Sequence, residues 1–334
     1  MADASAPRSG TTRPPGPRPF RFLADPGEVA DGAGLRETAR RAEAMGFSVL
    51  VMPDHVVSPF GFVPLLAFAA AATDRLRVAP FVANNDFRHP ALLAQDLATI
   101  DVLSGGRVEI AVGAGWNRPE YDALGIAFDP VGVRVSRLAE AIAVLKGCLG
   151  DGPFSFGGEH YTITDHDGIP KPVQRPHPPL FVGGGGRRVL SLAGREADIV
   201  GLAPRTLGTP DGGAVRSDPR SITIAATEEK IAWVREAAGD RFDRLELNVY
   251  PTGSAPLITD HPRKAAADLL DGIRARTGVE VPVDDFLASP QVFIGSVGGL
   301  VDKFRELRER LGISSFMVGD VDTLAPVVER LAGT

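Results

Sequence analysis

Cysteine is nearly absent from this chain of 334 residues, whose only one is Cys148. A single cysteine excludes an internal disulfide and is typical of proteins in a reducing compartment, so a cytoplasmic location is expected. The sequence also lacks an apolar run near the roughly 20 residues of a membrane span, and its first residues lack the apolar stretch of a signal peptide. We therefore expect no membrane partner.

An excess of basic charge is also missing, because 36 lysine and arginine residues stand against 42 aspartate and glutamate residues, a net charge of −6. A chain that binds nucleic acid usually presents a basic face, so no nucleic-acid partner is expected. The six histidines show none of the spacings of a metal motif such as H-E-x-x-H. No G-x-S-x-G nucleophile elbow is present either, so the sequence predicts neither a metal site nor serine hydrolase chemistry.

Short apolar runs alternate with longer helical patterns from Phe20 onward, which is typical of parallel strands buried on both faces. Eight such runs predict either a closed barrel or an open doubly wound sheet. A dinucleotide-binding sheet has a glycine fingerprint after its first strand, where Asp25–Gly27 stands instead, so a (β/α)8 TIM barrel of the α/β class is favoured. The predicted strands are Phe20–Ala24, Ser48–Met52, Arg77–Val82, Arg107–Val112, Leu180–Val182, Asp198–Leu202, Leu245–Tyr250 and Ser314–Val318.

Three segments do not fit the repeat. Residues 1–19 are rich in Pro, Ser, Thr, Gly and Arg and are predicted to be a disordered tail ahead of one barrel domain over residues 20–334. The stretches Asp151–Pro179 and Pro204–Pro219 are rich in glycine and proline, and the first is expected to contain a hairpin of Phe154–Phe156 with Tyr161–Ile163. Both are interpreted as insertions that cover an active site at the C-terminal face or contact another subunit.

Asp54 and His55 directly follow the second predicted strand. The carboxyl ends of barrel strands carry catalytic groups, and a histidine titrates near neutral pH, so this pair is a candidate proton donor. The alternative is a loop histidine that bonds to its own backbone, and spacing alone leaves both interpretations open.

Two more strand ends carry candidate binding residues. The fourth strand ends in Gly113, Ala114, Gly115 and Trp116, where the two glycines let a flat ring approach the backbone. Trp116 either lines a pocket or belongs to the core. The fifth strand ends in Gly183–Arg187, at the start of a helix whose free amides favour a phosphate. The alternative there is a flexible turn between strand and helix.

These residues, in this order, resemble the luciferase-like monooxygenase superfamily, and within it the branch that uses the deazaflavin coenzyme F420. The segments that carry the resemblance are Ala42–Phe47, Asp54–His55, Arg88–Ala94, Leu103–Arg107, Gly113–Trp116, Glu120–Tyr121, Leu124–Ile126, Lys171–Gly184 and Phe293–Gly295.

The resemblance implies a barrel that binds a tricyclic ring, commonly as a homodimer. It implies a cis peptide bond at Phe81–Val82 against the ring, Asp54 and His55 beside the ring, and Gly183–Arg187 at the phosphate. The residues expected to contact the cofactor are Phe81, Val82, Ala83, Asn84, Gly113, Ala114, Gly115, Trp116, Gly183, Gly184, Gly185, Gly186 and Arg187.

The implied reaction is hydride transfer between reduced F420 and an organic small molecule, with His55 exchanging a proton and Asp54 orienting or charging it. In deazaflavin-dependent sugar-phosphate dehydrogenases a glutamate follows the glycine pair, where this chain has Trp116, which disfavours a sugar-phosphate substrate. The alternatives are an FMNH2-dependent two-component monooxygenase on the same barrel, with FMN as cofactor, and a cofactor-binding protein without turnover.

Overall fold

Eight parallel strands form a barrel in the computed structural model, which describes residues 17–207 and 216–334. Each strand overlaps one of the eight predicted runs. Residues 1–16 of the predicted tail and residues 208–215 of the predicted loop lie outside the described residues. The barrel strands are Arg21–Asp25, Val49–Met52, Arg77–Pro80, Ile110–Gly113, Leu180–Gly184, Ile199–Leu202, Glu246–Val249 and Ile313–Asp320.

The sheet closes on itself between the third and fourth strands. Neighbouring strands pair in the order third, second, first, eighth, seventh, sixth, fifth, fourth. The fourth strand then pairs with Ala83–Asn84, which continues the third strand beyond a two-residue break, and Val78 bridges Val108. This closure confirms the predicted barrel.

Helices cover the outside of the barrel. Their ends follow local sequence signals: Asp31 caps the first helix by accepting from the Gly34 amide, and Gly105 ends the third helix with a φ of 70°. The α-helices are Gly32–Ala44, Phe62–Ala71, Pro90–Ser104, Arg118–Leu124, Val131–Leu149, Arg187–Glu196, Ile224–Ala238, Pro262–Thr277, Val283–Ala288, Val297–Leu311 and Ala325–Leu331; short 3-10 helices span Asn85–Phe87, Pro219–Ile222 and Gly239–Arg244. No helix of the described residues is long and apolar enough to cross a membrane.

The barrel interior is charged at the floor and largely apolar above it. Because side chains alternate along a strand, every second residue faces inward. At the floor Arg21 bonds to Glu109 and, at 2.8 Å, to Glu246, while Arg77 reaches Glu109 at 2.7 Å. Above the floor the inward side chains are largely apolar, and Asn248 and Ser315 form a buried polar pair among them. The apolar ones are Leu23, Val49, Val51, Ala79, Ala111, Phe181 and Ile199.

The insertion Asp151–Pro179 does not cover the mouth, which corrects that interpretation. It joins the C-terminus of the helix Val131–Leu149 to the start of the fifth strand, at the floor side of the barrel. Its predicted hairpin is present as Phe154–Gly157 and Thr162–His166. Tyr161 of this insertion reaches a segment that follows a strand at the mouth, where its hydroxyl accepts from Asn85.

The sequence patterns did not reveal one further insertion, which follows the seventh strand. The helices Pro262–Thr277 and Val283–Ala288 share a small separate core with residues from neighbouring loops. Because this segment begins at the carboxyl end of a strand, it lies on the side of the barrel where active sites form. The buried apolar residues of this core are Ile222, Ala266, Ile273, Phe286, Val292 and Ile294.

Candidate active site

His55 lies at the mouth of the barrel, and its Nδ1 atom is 3.0 Å from both carboxylate oxygens of Glu120. Glu120 is buried, and it also accepts from the Val56 amide at 3.1 Å. A carboxylate accepts hydrogen bonds and does not donate them, so Nδ1 carries a proton and Nε2 is the atom left to exchange one. The indole of Trp116 is half-exposed and stands edge-on to the imidazole, with ring centroids 5.9 Å apart.

Asp54 is not the partner of His55, which corrects the mechanism implied by the resemblance. Its carboxylate accepts from Arg88 at 2.7 Å and from the Asn84 amide at 2.9 Å. Arg88 also lies over the ring of Phe62, 4.6 Å from its centroid. Asp54 therefore ties the end of the second strand to the segment after the third strand.

The peptide bond Phe81–Val82 is cis, as the resemblance implied. Phe81 and Val82 are partly buried and pack on the apolar layer that contains Phe181, with 5.3 Å between the two phenyl centroids. Ala83 is buried in the outer core, and the Asn84 side-chain oxygen accepts from Tyr121 at 2.9 Å. Of these four predicted residues, Phe81 and Val82 thus form an apolar platform, whereas the side chains of Ala83 and Asn84 are used within the protein.

The turn Gly113–Trp116 is held from below by Arg134. Its buried guanidinium donates to the carbonyl oxygens of Ala114, at 2.9 Å, and of Gly115. Gly115 has a φ of 73°, and a Cβ there would collide with the Tyr121 hydroxyl. A Cβ on Gly113 would meet the Val82 side chain. The space beside these two glycines is therefore occupied by protein side chains, namely Tyr121 at Gly115 and Val82 at Gly113.

The glycine turn lies at the mouth, as predicted. Gly183 and Gly184 end the fifth strand, and Gly186 precedes the helix Arg187–Glu196. A Cβ on Gly185 would collide with the backbone carbonyl of Pro204, so close packing against that carbonyl requires glycine at this position. Gly186 is exposed and has open space at this position. Among the described residues no side chain accepts from the amides that begin the helix.

A carboxyl group that sequence reasoning did not single out ends the first strand. Burial raises the pKa of Asp25 above its ordinary value, although its hydrogen bond from the Gly27 amide opposes this, and the neighbouring Asp320 raises the pKa further. Glu120 and Arg134 were missed as well. The Glu120–Tyr121 dipeptide was noticed only as a motif, and the sequence contains no signal that pairs it with a histidine 65 positions earlier.

Lys230 fixes the base of the loop after the sixth strand. It is fully buried, and its ammonium donates to the carbonyl oxygens of Ala203 at 2.6 Å and of Ser221 at 2.7 Å. These two residues stand at the two ends of that loop. Burial lowers the pKa of Lys230 from 10.5 to about 8.

This depressed pKa predicts a pH-dependent stability. Between about pH 8 and pH 10.5 the unfolded chain holds a proton on Lys230 that the folded chain has released. The free energy of unfolding therefore rises with pH across this window, by at most about 3 kcal/mol. Urea unfolding of the wild type and of Lys230→Met at several pH values measures this effect. The difference in the free energy of unfolding between the two proteins is expected to change in favour of the wild type as the pH rises. A difference that stays constant contradicts the assignment.

The amino-acid sequence from residue 18 to residue 215 matches the family model described as luciferase-like monooxygenase. The chain belongs to the luciferase-like monooxygenase family. An FMNH2-dependent dimethylsulfone monooxygenase of Pseudomonas putida is 35% identical over 169 residues, which are 49% of this chain and 46% of that protein. The chain thus spans about half the length of this relative.

Other members of the family match a larger part of the chain. A 5,10-methylenetetrahydromethanopterin reductase of Methanopyrus kandleri is 25% identical over 312 residues, which are 87% of this chain and 83% of that protein. The solved structure of a coenzyme F420 dependent tetrahydromethanopterin reductase from the same organism has a TM-score of 0.71 at 20% identity, and the match covers 95% of this chain and 98% of that one. The structural likeness shows the shared barrel fold. F420-dependent reductases and FMNH2-dependent monooxygenases thus both occur among the relatives.

Proposed function

We propose that this protein is an oxidoreductase that transfers a hydride between reduced coenzyme F420 and an organic small molecule. The observation that carries the proposal is His55 at the barrel mouth, with Nδ1 held by the buried Glu120 and Nε2 left to exchange a proton. F420 is favoured over FMN because the sequence match to the Methanopyrus kandleri reductase covers 87% of this chain, whereas the match to the FMNH2-dependent relative covers 49%. The solved tetrahydromethanopterin reductase of that organism is F420 dependent.

The residues at the mouth fit a flat ring with an anionic tail. Phe81 and Val82 form an apolar platform of the kind that a ring can stack on. The uncapped start of the helix Arg187–Glu196 presents free amides and the positive end of a helix dipole, both of which favour a phosphate. The residues proposed to hold the cofactor are those predicted from the sequence, except Ala83 and Asn84, whose backbone and side chains are used within the protein.

Within such a site, the residues of this chain bind, orient and protonate. When bound, the deazaflavin supplies the hydride, and it reacts poorly with dioxygen because carbon replaces the flavin N5 atom. His55 exchanges a proton through Nε2, and Glu120 keeps the imidazole in that tautomer. Trp116 stands edge-on beside the imidazole and lines the site next to it.

An FMNH2-dependent monooxygenase is the second candidate, favoured by the relative that is 35% identical. Titration of the purified protein with oxidised and reduced F420 and with FMN, followed by absorbance, separates the two. The proposal predicts saturable binding of F420, weaker binding of FMN, and no substrate-dependent oxygen uptake with a panel of organic compounds. Preferred binding of FMN together with oxygen uptake in the presence of FMNH2 contradicts it.

If the phosphate binds at the start of the helix Arg187–Glu196, a charge change there should affect F420 binding more than the same change at the end of the helix. Arg187 is exposed and pairs with Glu236 at 2.8 Å. Arg187→Glu is expected to weaken F420 binding roughly 5-fold or more at low salt, because it places a negative charge beside the phosphate. Arg195→Glu, in the last turn of the same helix, makes the same change in net charge and is the matched control. Equal dissociation constants for the two variants contradict this placement.

A further inference from the structure

Tyr250 directly follows the seventh strand and faces into the barrel mouth. Side chains alternate along this strand, and Glu246 and Asn248 both face inward, Glu246 to Arg21 at the floor and Asn248 to Ser315 above it. Tyr250 continues this inward row one layer higher. Its ring stands edge-on to Phe81, with centroids 5.9 Å apart, so it borders the apolar platform.

Tyr250 is partly buried, and its hydroxyl has no hydrogen-bond partner among the described residues. When a bound molecule buries a tyrosine hydroxyl, that hydroxyl usually finds a partner. The chain contains three tyrosines. The hydroxyl of Tyr121 bonds to Asn84 and Asp86, and the hydroxyl of Tyr161 accepts from Asn85.

A second polar atom lies in the same inward row without a partner. Asn248 is fully buried, its amide nitrogen donates to Ser315 at 3.0 Å, and its Oδ1 atom has no hydrogen bond among the described residues. Buried polar atoms are satisfied by protein, water or ligand in nearly all native structures. Asn248 and Tyr250, two successive positions of this inward row, thus each have a polar atom without a protein partner near the mouth.

We propose that the Tyr250 hydroxyl donates a hydrogen bond to a carbonyl oxygen of the molecule bound at the mouth. The inference rests on the proposed function, because both the redox ring and an organic substrate are sources of such a carbonyl. Phe81 contacts the ring of Tyr250 and belongs to the platform proposed for the redox ring, so the carbonyl is expected near that platform.

The phenol acts as a donor rather than as a base. Burial raises the pKa of Tyr250 to about 12, so the hydroxyl keeps its proton at neutral pH. A neutral donor of this kind positions a carbonyl and polarises it, and it stays unchanged between turnovers. Tyr250 is therefore a binding residue distinct from His55, which exchanges the proton.

Tyr250→Phe tests the inference, because it removes one oxygen atom that has no protein partner. We expect the melting temperature to stay unchanged and either the F420 dissociation constant or the substrate KM to rise roughly 3- to 10-fold. A weaker F420 complex with a shifted absorption maximum identifies a ring carbonyl. An unchanged F420 complex with a raised KM identifies a substrate carbonyl. Tyr161→Phe removes the same atom on the outside of the barrel and is expected to change neither constant.

Two results overturn the inference, and they are distinguishable. If the wild type binds neither F420 nor FMN, the proposed function fails and the role of Tyr250 fails with it. If the wild type binds F420 and Tyr250→Phe leaves both constants and the absorption spectrum unchanged, only the role of Tyr250 is wrong.

Discussion

His55→Ala is expected to lower kcat/KM by about 10²- to 10⁴-fold, the range in which a positioned proton donor contributes to turnover. F420 binding is expected to change less than turnover, because the imidazole hydrogen-bonds to Glu120 and contacts the residues proposed to hold the cofactor through the edge-on ring of Trp116. The measurement is steady-state turnover of a substrate found by screening organic compounds with reduced F420. Turnover that survives this substitution contradicts the role of His55.

Glu120 acts through His55, and this makes a sharper test possible. Glu120→Gln keeps an acceptor for the Val56 amide but no longer fixes which imidazole nitrogen carries the proton. It is expected to lower kcat roughly 10-fold or more on its own. In the His55→Ala background the same change is expected to have no further effect, because the group that it orients is gone. Additive losses in the double variant would show that Glu120 has a separate structural role.

Glu109→Ala is expected to lower the free energy of unfolding by about 3–5 kcal/mol, the typical effect of removing one partner from a buried ion pair. Glu109 is 3% exposed and accepts from both Arg21 and Arg77 at the barrel floor. Burial by itself lowers the pKa of Arg21, but Glu109 and Glu246 outweigh this and raise it above its ordinary value. Without Glu109, Arg21 keeps Glu246 as its carboxylate partner, whereas Arg77 keeps neutral acceptors such as the Val108 carbonyl and the Gln174 side chain.

Urea unfolding measures this loss, and the chain offers a matched control. Glu228 pairs with Arg310 at 2.8 Å, but both side chains are about half exposed, 46% and 49%. Glu228→Ala is therefore expected to cost less than about 1 kcal/mol. If the two variants are equally stable, the floor network does not contribute to the stability of the barrel.

The sequence predicted the parts of the site that depend on chain order. In a parallel barrel all strands end at one face, so residues after each apolar run meet at the mouth. This reasoning placed His55, Trp116 and the turn Gly183–Gly186 correctly, and the barrel and the cis bond at Phe81–Val82 are confirmed. The catalytic role of His55, the choice of F420 and the homodimer stay predictions.

The sequence could not predict which side chains pair across the mouth. Asp54 is adjacent to His55 in the chain, but consecutive residues point in different directions, and Asp54 bonds to Arg88 instead. The insertion Asp151–Pro179 was placed at the mouth because of its composition, although its position after a helix sends it to the floor. Composition does not distinguish the loops of the two faces.

The amino-acid sequence by itself determined the barrel, its strands and the residues that reach the mouth, because apolar periodicity and strand direction are properties of the local chain. Only the tertiary structure decided that Glu120 holds His55, that Gly115 makes room for Tyr121, and that the Tyr250 hydroxyl has no partner among the described residues. These contacts join residues far apart in the chain, and they depend on the packing of neighbouring loops, which no local pattern encodes.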